Sequence, residues 1–180
     1  MGLDVWEVIR LANRHPRVRI LNPGPGVGGH RISVDPWFLV ESAPDITHLI
    51  RAAREVNDTQ PEFVLQSLKT ILPSPQGKRV AVLGLAYKPD VDDLRETPSL
   101  EVVRELVLAG ATVTAWEPYK PDFKAPNVKM AASLEEAIQD ADVLLLLVGH
   151  SQFKALDPEV VAQKTSARLV LDAVNAWPSQ

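Results

Sequence analysis

Apolar side chains open the chain at helical spacing. Leu3, Val5, Trp6, Ile9 and Leu11 with Ala12 form one broad stripe, which predicts an amphipathic helix over 3–14. That helix starts abruptly, with no cap of its own, which implies further chain upstream. A short apolar stretch at 17–21 leads into the Gly-Pro segment 22–30, and Pro36 opens a short helix over 36–43. From 45 to 72, Ile46, Leu49, Ile50, Ala53, Val56, Phe63, Val64, Leu68, Ile71 and Leu72 keep a 3.6-residue period. They predict one long helix that Pro61 kinks or splits, because proline removes a backbone donor and clashes with the preceding turn. Pro73-Ser74-Pro75-Gln76-Gly77 is a breaker cluster, and the expected domain boundary falls there.

The pattern then changes to short apolar runs alternating with helical stretches. Strands are predicted at 80–85, 111–116, 143–148 and 169–173. Helices are predicted at 99–109, ended by Gly110, at 133–140, where Ser133 and Glu136 form a capping-box pair, and at 158–164. Strands apolar on both faces and separated by helices indicate a parallel sheet covered on each side. The expected architecture is α/β: a helical segment over 1–75, then a Rossmann-like domain over 76–180.

Composition narrows the function. With 46% hydrophobic residues the chain can bury a core, and a net charge of -4 disfavours nucleic acid or an anionic membrane as partner. The charge is uneven: residues 1–75 hold 8 basic and 8 acidic side chains, the remainder 11 and 15. There is no cysteine, so disulfides, thiolate metal sites and a cysteine nucleophile are excluded. His15, His30 and His48 have no metal-ligand spacing, and no metal is expected. Neither a secretory leader nor a membrane-length apolar run is evident, so a cytoplasmic location is expected.

Two segments carry candidate chemistry. Gly24-Pro25-Gly26-Val27-Gly28-Gly29 matches the G-x-G-x-x-G string of dinucleotide sites, but Arg17, Arg19 and Pro23 break any strand before it and no clear helix follows. A loop that lets a ligand approach bare backbone, or a plain tight turn, fits better. The strand–turn–helix at 80–108 has no glycine-rich turn. Its loop carries Lys88, Asp90, Asp92, Asp93, Arg95 and Glu96 at the carboxyl edge, where open α/β sheets bind ligands. Lys88 and Arg95 are natural phosphate partners there; a solvated loop with internal ion pairs is the other reading. His150 follows the third predicted strand, and a surface or packing role suits a lone histidine. The four tryptophans read as packing residues.

Taken together, these segments resemble the nucleotide-sugar 6-dehydrogenases of the UDP-glucose/GDP-mannose dehydrogenase family. Residues 24–38, from Gly24 through Gly-Gly-His to Asp35-Pro36-Trp37-Phe38, are similar to the family's active-site segment. Gly84 to Pro89 and Asp92 to Pro98 are similar to the start of its UDP-binding domain. Residues 11–18 and His150 to Lys154 resemble its N-acetylmannosamine branch, although the N-acetylglucosamine branch shares most of these motifs.

The resemblance implies three domains: an NAD-binding domain, a helical dimerisation centre and a UDP-binding domain. Only part of the centre and all of the last would lie in this chain, as a homodimer with a UDP-sugar as ligand. The implied reaction oxidises a C6 alcohol to a carboxylate with NAD through a cysteine thioester. Arg31 stands at the cysteine position, and a guanidinium is always protonated and not nucleophilic. Asp35 corresponds to the carboxylate that orients the hydrolytic water. Gly26, Gly28, Gly29 and Lys88 correspond to substrate-binding positions, and Arg95 to a cofactor contact. Val174 stands where the family usually has a basic residue. A non-catalytic UDP-sugar-binding or oligomerisation module is the competing expectation.

Overall fold

The computed structural model describes residues 2–177. Helix α1 spans Val5–Ala12 and is shorter than its apolar stripe suggested. It does have a cap: the Asp4 carboxylate accepts the N–H of Trp6 at 2.9 Å and of Glu7 at 3.4 Å, satisfying donors that a helix start leaves open. Helix α2 spans Asp35–Ser42, with Pro36 in its first turn. The long periodic stretch is two helices, α3 (His48–Asp58) and α4 (Gln60–Ile71), divided at Thr59 so that Pro61 falls in the first turn of α4. There its missing N–H needs no partner.

Strand β1 (Arg79–Leu83) follows, then α5 (Pro98–Leu108), β2 (Thr112–Trp116), β3 (Val128–Met130), α6 (Leu134–Ile138), β4 (Val143–Leu146), α7 (Ser151–Lys154), α8 (Pro158–Gln163) and β5 (Leu169–Asp172). The five strands form one parallel sheet in the order β3-β2-β1-β4-β5. Thr97 caps α5, its hydroxyl accepting the Ser99 N–H at 3.3 Å. Ser133 caps α6 in the same way through the Glu136 N–H at 3.2 Å. In return, the Glu136 carboxylate takes the Ala132 N–H at 2.8 Å, one residue outside a standard capping box.

Alternation along the central strands builds two apolar layers. Val80, Val82, Val143 and Leu145 face α4 and α5, where Val64, Leu68, Leu72, Val102, Val103 and Leu106 meet them. On the other face Ala81, Leu83, Leu144 and Leu146 pack with Ala137, Ile138, Phe153 and Val161. Helix α4 therefore reaches past the breaker cluster and shares the core of the sheet. Its Leu68 is 2% exposed, a burial that stabilises by about 1.5–3 kcal/mol.

The strand order reverses between β1 and β4, which opens a crevice beyond their carboxyl ends. Gly84 turns the chain out of β1 at φ 86°, and a Cβ there would lie 2.6 Å from the Val148 Cβ. Only glycine lets the two strand ends lie so close.

Candidate functional site

The loop from Gly84 to Thr97 hangs from the carboxyl end of β1 and is closed on itself. Thr97 donates its hydroxyl to the Leu85 carbonyl at 2.8 Å, and the Tyr87 N–H donates to the Asp93 carbonyl at 3.1 Å. Its N–H groups at Leu85 and Ala86 point at an anion position. In a dinucleotide-binding fold that first turn receives the pyrophosphate. Here the Glu117 carboxylate fills it, accepting Leu85 N–H at 2.7 Å and Ala86 N–H at 2.9 Å. Glu117 follows β2, is buried, and also accepts the Tyr119 N–H at 3.0 Å. Burial pushes its carboxyl up, but the hydrogen bonds from His150 and from these amides outweigh that and hold it below the ordinary carboxylate value.

His150, beyond β4, is fully buried rather than at the surface. Its Nδ1 accepts the Asp90 N–H at 2.9 Å and its Nε2 lies 3.2 Å from Glu117 Oε2. Tyr119 stacks near the ring at 4.8 Å and Phe153 meets it edge-on at 5.1 Å. Asp90, at φ 61°, is tied from the outside by the Ser151 N–H at 2.8 Å, the Ser151 hydroxyl and the Tyr119 hydroxyl at 2.9 Å. The Ser151 bonds first, then that from Tyr119, lower its pKa to about 2. Glu117 was not singled out from the sequence. An acidic residue closing the second strand of a βαβ pattern is the feature that could have found it.

The glycine string docks on this loop. A Cβ at Gly28 would lie 2.4 Å from the Glu96 carbonyl oxygen and 2.8 Å from Pro98 Cδ; one at Gly29 would lie 3.1 Å from the Tyr87 ring. The Gly29 N–H donates to the Glu96 carbonyl at 3.3 Å. Gly26, at φ 127°, passes Pro98 and Asn57. The Asn57 amide grips Val27, accepting its N–H at 2.8 Å and donating to its carbonyl at 3.0 Å. What approaches the bare backbone of Gly28 and Gly29 is the chain's own loop.

This contact brings several sequence-predicted residues together. The Lys88 ammonium lies 5.4 Å from the centre of the Tyr87 ring, whose edge abuts Gly29, and His30 Nδ1 is 4.0 Å from the Asp93 carboxylate. Arg95 forks onto Asp93 with bonds of 2.6 and 2.9 Å; its hydrogen bonds hold the Asp93 carboxyl well below the carboxylate range. Arg31 precedes the turn into α2, its carbonyl accepting the Asp35 N–H at 2.8 Å. Both side chains are exposed, and among the described residues no ion pair joins them. Val174 is half-buried against the core, with Cγ1 3.7 Å from the position of a Gly24 Cβ. The Lys154 ammonium lies close by, 3.5 Å from the position of a Gly149 Cβ.

A cleft of about 520 Å³ opens beside the glycine string, between α3 and the start of α5. Val27, Trp37, Arg54, Asn57, Thr97 and Arg104 line it, and Lys88, Arg95, Arg31 and Asp35 do not. Among the described residues no cluster of three or more His, Asp or Glu could hold a metal, and no helix is long and apolar enough to cross a membrane.

A five-stranded parallel sheet with a charged loop at its switch point and a helical segment docked on that loop defines a Rossmann-like α/β class. The chain belongs to the UDP-glucose/GDP-mannose dehydrogenase family: residues 81–179 match its UDP binding domain and residues 1–59 its central domain. It is 46% identical over 178 residues to a UDP-N-acetyl-D-mannosamine dehydrogenase of Methanocaldococcus jannaschii, covering 97% of this chain and 40% of that protein. It is 43% identical over 183 residues to an NDP-N-acetyl-D-galactosaminuronic acid dehydrogenase of Ralstonia nicotianae, covering 100% of this chain and 42% of that one. Among solved structures, the UDP-D-ManNAc dehydrogenase of Pyrococcus horikoshii superposes with a TM-score of 0.84 at 34% identity, over 99% of this chain and 42% of that one. The chain thus spans about two fifths of the length of these relatives.

Proposed function

We propose that this chain is the substrate-side portion of an NAD-dependent UDP-N-acetylmannosamine 6-dehydrogenase, a UDP-sugar-binding part that does not itself carry out the oxidation. The observation that carries the reading is the docking of Gly28 and Gly29 on Tyr87 and Glu96, which sets Lys88 beside the glycine string. In this reading the UDP-sugar lies along the carboxyl edge of the sheet, beside the place where that string docks on the loop. Lys88 meets its diphosphate, the backbone at Gly26, Gly28 and Gly29 shapes the wall, and Asp35 faces the sugar end. Arg95 reaches the cofactor from the rim. Helices α1 to α4 form a dimerising centre, with its junction to the sheet in the breaker cluster 73–77, and the protein works in the cytoplasm.

The residues present do not cradle NAD. Glu117 fills the anion position after β1, and the Gly24–Gly29 string has no strand before it and no helix directly after it. No step of this chain's chemistry runs through that cofactor. Arg31 favours the second reading as well, a non-catalytic UDP-sugar-binding module, because a guanidinium cannot attack an aldehyde. For the 180 residues alone the two readings converge on binding without turnover.

Titration of UDP and of NAD, each followed by NMR, tests the proposal. UDP should bind weakly, with a Kd on the order of 1 mM, or about 4 kcal/mol, and should perturb the amides around Lys88. Tighter binding of NAD than of UDP would overturn it. With UDP-N-acetylmannosamine and NAD present together, NADH should stay at the blank level, and Arg31→Cys should not raise it.

A further inference from the structure

We propose that His150 and Glu117 are positioning residues for Lys88, acting through the loop that carries it. The inference rests on the reading that Lys88 meets the diphosphate. Neither buried group touches the proposed ligand edge, yet together they tie the carboxyl ends of β1, β2 and β4 to that loop.

The tie has a defined protonation. A backbone N–H can only donate, so His150 Nδ1, 2.9 Å from the Asp90 N–H, must be unprotonated and accepting. The ring proton then sits on Nε2, which faces Glu117 Oε2 at 3.2 Å and donates to it. Glu117 in turn holds the N–H groups of Leu85 and Ala86. One carboxylate thus fixes the start of the loop, and through one imidazole it fixes Asp90, two residues beyond Lys88. Between these anchors lie only Tyr87, Lys88 and Pro89. The lysine ammonium sits over the Tyr87 ring, and the edge of the ring abuts Gly29. Fixing both ends of so short a span sets where the ammonium can reach.

The carboxylates of Glu117 and Asp90 flank the ring and their charge alone would favour a second proton on it, but the Asp90 N–H aimed at Nδ1 leaves no room for one. Asp90 Oδ1, 3.7 Å from Nδ1, is already engaged by the Ser151 N–H and the Tyr119 hydroxyl. Phe153 closes the ring's edge. A doubly protonated ring would set a donor against the Asp90 N–H and open the tie.

The test compares the 180-residue chain with His150→Gln, Lys88→Ala and the double variant. A glutamine carries one acceptor and one donor, but both hang one bond further from the backbone than Nδ1, so it cannot set the acceptor at Nδ1 and the donor at Nε2 together. Amide hydrogen exchange of His150→Gln should quicken by about tenfold or more at 85–95, while the sheet amides of Val82 and Leu145 keep their protection. UDP affinity should fall about tenfold in each single variant, and in the double variant by little more than in either alone, because both act through one group. Unchanged exchange at 85–95, or losses that simply add, would overturn the proposal. Absence of UDP binding in the parent chain sinks only the diphosphate reading of Lys88, and the exchange comparison still decides whether the loop is held. Should His150→Gln fail to fold, the imidazole nitrogens of the parent chain are read by NMR. A protonated Nε2 with a bare Nδ1 supports the tie, and the opposite tautomer refutes it.

Discussion

At Gly28 the absence of one methyl group decides how two parts of the chain meet. A Cβ there would penetrate the Glu96 carbonyl, 2.4 Å away, and Pro98 Cδ, 2.8 Å away, and neither is a flexible side-chain end. Gly28→Ala should therefore destabilise the chain by about 2 kcal/mol, within the range of forced overpacking. Gly24→Ala is the control, since its Cβ would meet only Val174 Cγ1 at an ordinary 3.7 Å. Urea midpoints measure both, and equal midpoints would contradict the assignment. The sequence made the close approach at the glycine string legible but not its object: spacing cannot say whether a ligand or the chain's own Tyr87 comes near. Glu117 is easily passed over for a related reason. A single carboxylate after a strand reads as solvated, and only the fold turns it inward onto two amides. His150 was legible as a residue at the carboxyl edge. Its burial depends on Tyr119 and Phe153, one of them in another segment.

Among the elements, those that bury both faces were plainest in the sequence. Val80 to Leu83 and Val143 to Leu146 are apolar throughout and form the two central strands. The helical period of 45–72 was correct, and Pro61 splits it rather than bending it because Thr59 ends one helix and begins the next. Strand β3 escaped notice: it has three residues, an exposed lysine in the middle and one neighbour in the sheet. Helix α7, at four residues, is too short for any period to show. The segment before the sheet leaves apolar side chains in water, on its helices and beside them: Ile46 is 84% exposed, Leu49 83% and Leu3 73%, with Phe38 and Val56 also uncovered. Faces of this kind mark interaction surfaces. Under the proposed dimerising role they meet a second copy, so sedimentation should show a dimer that Leu49→Glu shifts toward monomer. A single 19.8 kDa species at micromolar concentration would reject that role.

For the whole molecule, paired carboxylates set the acid limit. Asp142 is held at about 2 by its hydrogen bonds from Arg79, and Asp90 at about 2 by Ser151 and then Tyr119. Both are depressed from 3.8, so the unfolded chain takes up protons more readily than the folded one. Their stabilisation is fully present above pH 3.8 and is lost as pH falls toward 2. Thermal unfolding midpoints should drop through that window, and Asp142→Asn should flatten part of the drop. A midpoint indifferent to pH there would show that these bonds form equally in the unfolded state.

The reach of α4 across the breaker cluster limits how the protein can be divided. Val64, Leu68 and Leu72 lie N-terminal to Pro73 yet belong to the layer over β1 and β4. An excised sheet that began at the breaker would bare that layer to solvent, and it would be prone to clump or to recruit a stand-in helix. A piece that begins near Thr59, at the joint between α3 and α4, keeps that layer covered, so the seam written in the chain and the seam that spares its core are about one helix apart.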